Sequence, residues 1–397
     1  MFAFSLDEVN LFVLRKQHLT DDTKAYDILQ ITRDISGLHG TGTFEPYLAL
    51  FARTKNFDRK QLDSELCVKR SLAKIRCMRG TLYIMTHDMV PVAFAATHSM
   101  VEKLSVSYSE FRGVSQDDYS RLSKTILSIL HGREMTIHEI KKRLATNLSL
   151  PAVLNLMCDQ GLLSRVLPGD CGKSKNYRYA LFQEYYKDIE LKRFSEDEAL
   201  ALLVESYLRS FGPATENDVS WWVGLPKARI KKALQKLKEK TIAVSISDID
   251  GDFLMLRTDL DLLKMHKEKR APTVNFLPDL DPYLMGYRER NRYLQPARYE
   301  YIFDRTGNAT STILIDGKVE GVWDYAGTPE PQIRLFFFQS PPSKMKKVIE
   351  DTARELGIFI SDTKASVSYE PEMVPLTSRS AGAFMSPLKK LKSEGKA

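Results

Sequence analysis

Two stretches of the chain repeat one order of predicted elements, three helices followed by two strands, and this repeat restricts the fold more than any other feature of the sequence. In the first stretch, Thr136 and Glu139 have the spacing of a capping box that opens a short helix. In the second, Thr215 and Asp218 have the same spacing, and their helix ends at Gly224. Helix, helix, helix, strand, loop, strand is the order of a winged-helix unit, so the repeat predicts a tandem array of such units.

Strand and turn signals replace helical periodicity after Pro272. Residues 309–315 and 319–323 flank the pair Asp316-Gly317, which is a strong hairpin signal. The sequence therefore predicts an α+β fold in five segments. They are a first unit of helices and strand (1–115), a second unit (116–194), a third unit (195–270), a C-terminal β-rich domain (271–375) and a flexible basic tail (376–397).

The charge balance favours a polyanionic partner. The 397 residues include 58 Lys and Arg against 51 Asp and Glu, which gives a net charge of +7. The four cysteines form no CxxC pair, so we expect no metal and no small-molecule cofactor. No apolar stretch approaches the roughly 20 residues that span a bilayer, and no export signal opens the chain. We therefore expect a cytoplasmic monomer without a membrane partner.

The segment 227–240 is the strongest local signal for DNA. Seven basic residues stand there against the single acid Glu239. The last helix of a winged-helix unit contacts the major groove or the phosphates, so we predict DNA contacts in this segment. The alternative is a solvated helix face. The residues predicted to bind DNA are Lys227, Arg229, Lys231 and Lys232.

A second basic cluster lies at 287–293. Arg288, Arg290 and Arg292 alternate there, next to Tyr287 and Tyr293. On an extended segment the arginines would point to one side and the tyrosines would stack on bases, so this segment is predicted to bind DNA. The alternative is an exposed loop that joins the β-rich domain to the helices.

The glycine-rich loop 37–43 is the most unusual local sequence. Its glycines allow close approach of a ligand, and His39 and Thr41 are spaced to hold one water molecule between them. The loop lacks the lysine of a phosphate-binding loop, so nucleotide binding is not expected. A simple connector is the alternative. Arg76, Arg79 and Thr81 are predicted to line a cleft, and a strand with basic ends is the alternative for them.

Several blocks together resemble the winged-helix DNA glycosylases of the AlkZ/YcaQ type, which remove alkylated purines and unhook interstrand crosslinks. The resemblance runs in order from about residue 9 to residue 360. Its blocks are 37–41 (GLHGT), 46–53 (PYLALFAR, which ends at Arg53), 78–83 (MRGTLY), 207–215 (YLRSFGPAT), 221–226 (WWVGLP), 277–290 (LPDLDPYLMGYRER) and the hairpin 313–323.

The resemblance implies three winged-helix units and a C-terminal β-barrel-like domain around a basic concave surface. The family's catalytic motif is Gln-apolar-Gln or Gln-apolar-Asp, whose side chains position a water molecule for attack on the anomeric carbon. In this chain the two positions hold His39 and Thr41, and Gly40 stands between them. The resemblance also adds Arg53 to the predicted DNA contacts.

The predicted function is therefore that of a DNA repair glycosylase which hydrolyses the N-glycosidic bond of N7- or N3-alkylated purines, with crosslink unhooking as an extension. The expected partner is alkylated or crosslinked double-stranded DNA. The alternative is a non-catalytic winged-helix DNA-binding protein, either a regulator or a lesion binder. The pair His39 and Thr41 discriminates between the two, because only the glycosylase needs it.

Overall fold

The computed structural model describes residues 2–144, 146–166, 177–265, 272–327, 330–378 and 386–387. They form a mixed α+β fold, as the sequence predicted. The loop between the two strands of the second unit, and the tail apart from residues 376–378 and 386–387, were predicted above and lie outside the described residues. Among the described residues, no helix combines the length and the apolar character needed to cross a bilayer.

The first unit contains a three-stranded sheet with helices packed on it. A capping box of Ser5 and Glu8 opens the first helix. The elements are β1 (Phe2–Phe4), α1 (Leu6–Lys16), α2 (Ile28–Asp34), β2 (Leu38–His39), α3 (Glu45–Phe51), α4 (Arg59–Asp63), β3 (Leu72–Arg76), β4 (Leu82–Thr86) and α5 (Met89–Phe111). The sheet order is β2-β4-β3, with antiparallel neighbours. Helices α2, α3 and α5 pack on this sheet.

The third unit shows the element order that the repeat predicted, and the second unit shows it with one additional short strand between its first two helices. In the second unit the elements are α6 (Gln116–Leu130), β5 (Met135–Thr136), α7 (Ile137–Leu144), α8 (Leu150–Asp159), β6 (Leu163–Val166), β7 (Arg178–Leu181) and α9 (Phe182–Tyr185). In the third they are α10 (Glu196–Phe211), α11 (Glu216–Val223), α12 (Lys227–Lys236), β8 (Thr241–Ile246), β9 (Phe253–Leu256) and α13 (Leu260–Met265).

The C-terminal domain is a five-stranded sheet in the order β10-β11-β12-β13-β14, with one helix packed on it. The predicted Asp316-Gly317 turn joins β11 to β12, with both residues at positive φ. The elements are β10 (Val274–Leu277), α14 (Tyr299–Ile302), β11 (Thr312–Ile315), β12 (Lys318–Ala326), β13 (Gln332–Phe337), α15 (Ser343–Ser361) and β14 (Ser366–Tyr369).

The barrel-like closure expected from the resemblance is not found within the described residues. A closed barrel has no edge strands, whereas β10 and β14 are the two edges of this sheet. Helix α15 leads from β13 to β14, and β14 pairs with β13 in parallel. The same helix contacts β10, so it covers one face of the open sheet instead of leaving the sheet to close on itself.

The largest apolar core crosses the predicted unit boundaries. Phe12 of α1, Tyr83 of β4, Trp222 of α11 and Tyr287 of the C-terminal domain all belong to it, and each is at most 3% exposed. The second unit has a core of its own around Ile126 and Val153. Residues at the junction of the first unit, the third unit and the C-terminal domain are therefore held by packing from all three.

Candidate active site

The candidate active site is built on the edge strand β2. Leu38 pairs with Ile84 and His39 pairs with Tyr83 of the central strand β4. Gly37 has a φ of +102°, and a Cβ there would lie 3.2 Å from the carbonyl oxygen of Ile84, so only glycine fits this approach. The amide of Gly40 donates to the carbonyl of Leu82 at 2.7 Å. These bonds fix the backbone on both sides of the His39 imidazole.

His39 is a buried imidazole with an unused nitrogen. The residue is 6% exposed, and among the described residues its Nδ1 has no hydrogen-bond partner. Burial, together with the positive charges of Arg79 and Lys74, lowers the pKa of His39 to about 3. The ring is therefore neutral at physiological pH, and a neutral imidazole has one nitrogen that accepts a hydrogen bond.

Thr41 follows two residues later in an exposed bend. The described structure therefore places a buried imidazole and an exposed hydroxyl two residues apart in one short loop. The Lys74 side chain packs closely against Gly40, which stands between them. A Cβ at residue 40 would lie 3.3 Å from Cε of Lys74. Lys74 is itself buried, and its Nζ donates to the Tyr177 hydroxyl of the second unit at 2.9 Å.

Tyr83 and Arg79 complete the surroundings of His39. The ring centroids of His39 and Tyr83 are 5.2 Å apart, and burial raises the pKa of the Tyr83 hydroxyl. Arg79 lies in the tight turn between β3 and β4, in the left-handed region with a φ of +53°. Its guanidinium lies over the ring of Trp221 of α11, 4.1 Å from the centroid. The site therefore joins the first unit to the third.

Sequence reasoning missed three of these residues, namely Tyr83, Trp221 and Lys74. Tyr83 and Trp221 stood inside the matching blocks 78–83 and 221–226, but nothing there distinguished them from core aromatics. The register of β2 against β4 places Tyr83 beside His39, and this register is a tertiary fact that local periodicity does not contain.

Arg53 and Arg76 are engaged within the protein. The guanidinium of Arg53 donates two hydrogen bonds to Asp281, at 2.8 and 2.7 Å, and both side chains are fully buried. Arg76 donates to Asp159 of α8 at 3.0 Å, and its side chain is 27% exposed. We therefore reassign Arg53 from a DNA contact to a structural ion pair, because it has no surface to present. Arg76 joins the first unit to the second.

The 287–293 segment does not present its arginines to one side. The side chain of Arg288 is 58% exposed, whereas Arg290 and Arg292 are 7% and 3% exposed as residues. Arg292 donates to the carbonyl of Pro213 at 2.9 Å and lies over the ring of Tyr287. Tyr287 is fully buried and donates to the carbonyl of Phe211 at 2.7 Å. Tyr287, Arg290 and Arg292 are thus packing residues here, and Arg288 alone of the four is open to a ligand.

Helix α12 has two basic faces with different surroundings. On one face, Arg229 pairs with Glu196 at 2.5 Å and Lys232 pairs with Asp197 at 2.6 Å, both acids of α10. Lys227 and Lys231 are exposed on the other face, and no ion pair to either is found within the described residues. Only one face of the helix that was predicted to bind DNA is therefore available to a polyanion. We call it the outward face, and it carries Lys227 and Lys231.

Comparison with known proteins decides the family. A sequence model of the DNA glycosylase AlkZ-like family matches residues 32–357, which is most of the chain. The chain belongs to the AlkZ-like DNA glycosylase family. The resemblance predicted from the sequence blocks is confirmed, and the enzyme class is that of the DNA glycosylases, which hydrolyse N-glycosyl bonds.

A curated relative and a solved structure of the AlkZ-like family agree with this assignment. The interstrand DNA cross-link repair glycosylase of Streptomyces sahachiroi is 22% identical over 326 residues, covering 76% of this chain and 83% of that protein. The structure of the DNA glycosylase AlkZ from Streptomyces sahachiroi has a TM-score of 0.77 at 19% identity, covering 93% of this chain and 100% of that one. At this identity the structural likeness establishes the fold.

Proposed function

We propose that this AlkZ-like glycosylase removes N7- or N3-alkylated purines from duplex DNA with His39 and Thr41 as its water-positioning pair. The observation that supports this most directly is the state of His39. Its imidazole is buried and neutral, its Nδ1 lacks a partner among the described residues, and it stands where the family's motif has an amide. A side-chain amide oxygen and a neutral imidazole nitrogen can both accept a hydrogen bond from a bound water molecule.

The proposed reaction needs little acid catalysis. An N7-alkylated purine is already cationic, so it leaves as a neutral base when its bond to the anomeric carbon breaks. A water molecule held between His39 and Thr41 attacks that carbon. The neutral imidazole accepts a hydrogen bond from the water and so holds it in place, and the proton that the water loses goes to solvent. Thr41 can orient the water because a hydroxyl both donates and accepts hydrogen bonds.

We propose that the duplex lies along Arg79, Arg288 and the outward face of α12. Lys227, Lys231 and Arg288 are exposed cations of the third unit and the C-terminal domain, where they would contact phosphates on either side of the lesion. Arg79 is the cation beside His39, so it would contact the strand next to the target nucleotide. In this proposal the three units act as winged helices and the protein works as a monomer in the cytoplasm.

The name of the Streptomyces sahachiroi relative extends the proposed substrates to interstrand crosslinks. An N7-linked crosslink has the same cationic purine as leaving group, so the chemistry at the anomeric carbon does not change. What differs is the second strand, which stays attached while the first bond breaks.

The test is excision of N7-methylguanine from duplex DNA under single-turnover conditions, measured as the release of free base. The wild type should release base, and His39→Ala and Thr41→Ala should each slow release by about 10²- to 10⁴-fold. His39→Gln restores the family's amide and should keep much of the activity. A folded wild type that binds DNA and releases no base from this lesion or from an N7 crosslink would overturn the proposal and leave a DNA-binding role.

A further inference from the structure

The Arg79 side chain is held from outside its own unit. The turn Met78–Gly80 packs its backbone against the end of α11, where a Cβ on Gly224 would lie 2.9 Å from the Cα of Arg79. Gly224 itself has a φ of +85° and ends the helix. A non-glycine residue in the left-handed region, as Arg79 is, persists only where its surroundings fix it. Here the third unit supplies those surroundings.

Trp221 is in turn held from the C-terminal domain. The guanidinium of Arg290 lies 5.2 Å from the centroid of the Trp221 ring and 3.5 Å from that of Phe303. Arg290 also donates to the Tyr299 hydroxyl at 2.6 Å and to the carbonyl of Gly307 at 2.9 Å. These two hydrogen bonds and the Phe303 ring leave Arg290 little freedom, so Trp221 has a fixed cation beside it.

The arrangement leaves hydrogen-bonding capacity at Arg79. The ring of Trp221 offers its face to the Arg79 guanidinium and accepts no conventional hydrogen bond from it. Among the described residues, the Nε of Arg79 has no partner, although the atom is buried. Arg79 is half-buried and no carboxylate within the described residues pairs with it. The guanidinium contacts the neutral Tyr83 hydroxyl, so its charge stays uncompensated. A stacked guanidinium without a carboxylate partner is suited to a phosphate group, which it can bind through two parallel hydrogen bonds.

We propose that Arg79 binds one backbone phosphate next to the target nucleotide, and that Trp221 and Arg290 are the positioning residues of this phosphate site. This inference rests on the proposed function and adds a division of labour to it. The first unit supplies the phosphate ligand, whereas the third unit and the C-terminal domain fix its direction. Trp221 and Arg290 act through Arg79 and do not themselves touch the DNA.

The salt dependence of binding tests this directly, because each phosphate contact contributes a slope of about −0.9 to log K against log salt. The probe is a duplex with a tetrahydrofuran abasic analogue at its centre, which occupies the site and is not hydrolysed. Arg79→Gln should make the slope shallower by about one. Trp221→Leu should do the same although it removes no charge, and the double variant should add nothing further. Trp221→Phe keeps an aromatic face and should keep most of the slope.

The matched control is Arg298→Lys. Arg298 is another buried arginine of the C-terminal domain, it lies 4.6 Å from the centroid of the Phe338 ring and it pairs with Glu320. Its replacement should leave the slope unchanged, whereas Arg290→Lys should make the slope shallower. Thermal unfolding confirms that each variant is folded.

The outcomes separate the two proposals. If Arg79→Gln makes the slope shallower and Trp221→Leu does not, the positioning role is overturned and the Arg79 contact stands. If Arg79→Gln leaves the slope unchanged, the phosphate site is overturned as well. Neither result depends on base release, so a failure of the hydrolytic proposal would be seen separately in the excision assay.

Discussion

Segment 287–293 and helix α12 are both rich in basic residues, and the fold uses them in opposite ways. In the segment, Arg290 and Arg292 are buried and each lies against aromatic rings. On α12, Lys227 and Lys231 remain exposed. Arginine tolerates burial because its planar guanidinium stacks on rings and is weakly hydrated, whereas the lysine ammonium is strongly hydrated. In these two segments the cations that the fold buries are therefore both arginines that lie against aromatic rings.

The largest effect on stability should come from the buried ion pair of Arg53 and Asp281, which joins the first unit to the C-terminal domain. Arg53→Met leaves Asp281 buried without its partner, which should lower the free energy of unfolding by roughly 3–5 kcal/mol. Adding Asp281→Leu removes the stranded charge and should recover a large part of the loss. Denaturant unfolding measures both. A loss below about 1 kcal/mol for the single variant would mean that this buried ion pair contributes no more to the free energy of unfolding than a surface ion pair does.

A pH series should show the next largest effect, through the buried imidazole of His39. Its folded pKa of about 3 lies below the ordinary value of 6.5, so between these values the unfolded chain binds a proton that the folded chain does not. Its contribution to stability is fully present above pH 6.5 and is lost as the pH falls towards 3. Between pH 7 and pH 5 the loss should be up to roughly 2 kcal/mol.

His39→Gln is the matched variant, because glutamine does not titrate in this range. Its free energy of unfolding should fall less than that of the wild type over the same two pH values, and chemical denaturation at each pH gives the comparison. Equal pH dependence in the two proteins would show that His39 is protonated in the folded state or is reached by solvent.

The outward face of α12 should matter for DNA and hardly at all for stability. Lys227→Gln with Lys231→Gln should make the slope of log K against log salt shallower by roughly two for duplex DNA. The unfolding free energy should stay within about 0.5 kcal/mol of the wild type, because neither side chain is buried. An unchanged slope would remove α12 from the proposed interface.

The inward face of α12 should give the smallest effect on binding. Arg229→Gln removes a charge that already faces the acids of α10, so the slope should change by less than half as much as for one outward lysine. Salt titration of the same duplex compares the two faces. A full unit of change would place Arg229 on the phosphates and reverse the assignment made from its ion pairs.

Local signals in the sequence were enough for the elements and not for their partners. The capping boxes at Thr136 and Thr215 and the turn at Asp316-Gly317 are contained in a few adjacent residues, so they could be predicted and are confirmed. The His39–Thr41 loop could be selected by its composition and by the resemblance. Its surroundings could not, because Tyr83 reaches His39 through strand register and Trp221 reaches Arg79 across a unit boundary.

The same limit explains the reassignments. Alternation along 287–293 predicted three arginines on one side of an extended strand, but no strand forms there in the described residues. Asp218, in the first turn of α11, accepts hydrogen bonds from the backbone amides of Arg288 and Glu289, so the segment bends around the N-terminal end of that helix. The arginines that follow turn inward to Phe253, Phe303 and Tyr287, and nothing in their spacing indicates it.

Strand β1 has a consequence for the order in which the chain assembles. Phe2, Ala3 and Phe4 lie parallel to Val244, Ser245 and Ile246, so the strand is an edge of the third unit's sheet although it is made with the first. At about 5–20 residues per second, the ribosome delivers the partner strand roughly 10–50 seconds after β1. During that interval the partner strand of β1, which is β8, has not yet been synthesised. Strand β1 is thus synthesised well before it can dock, and a chain stopped before residue 241 would leave it without this partner strand.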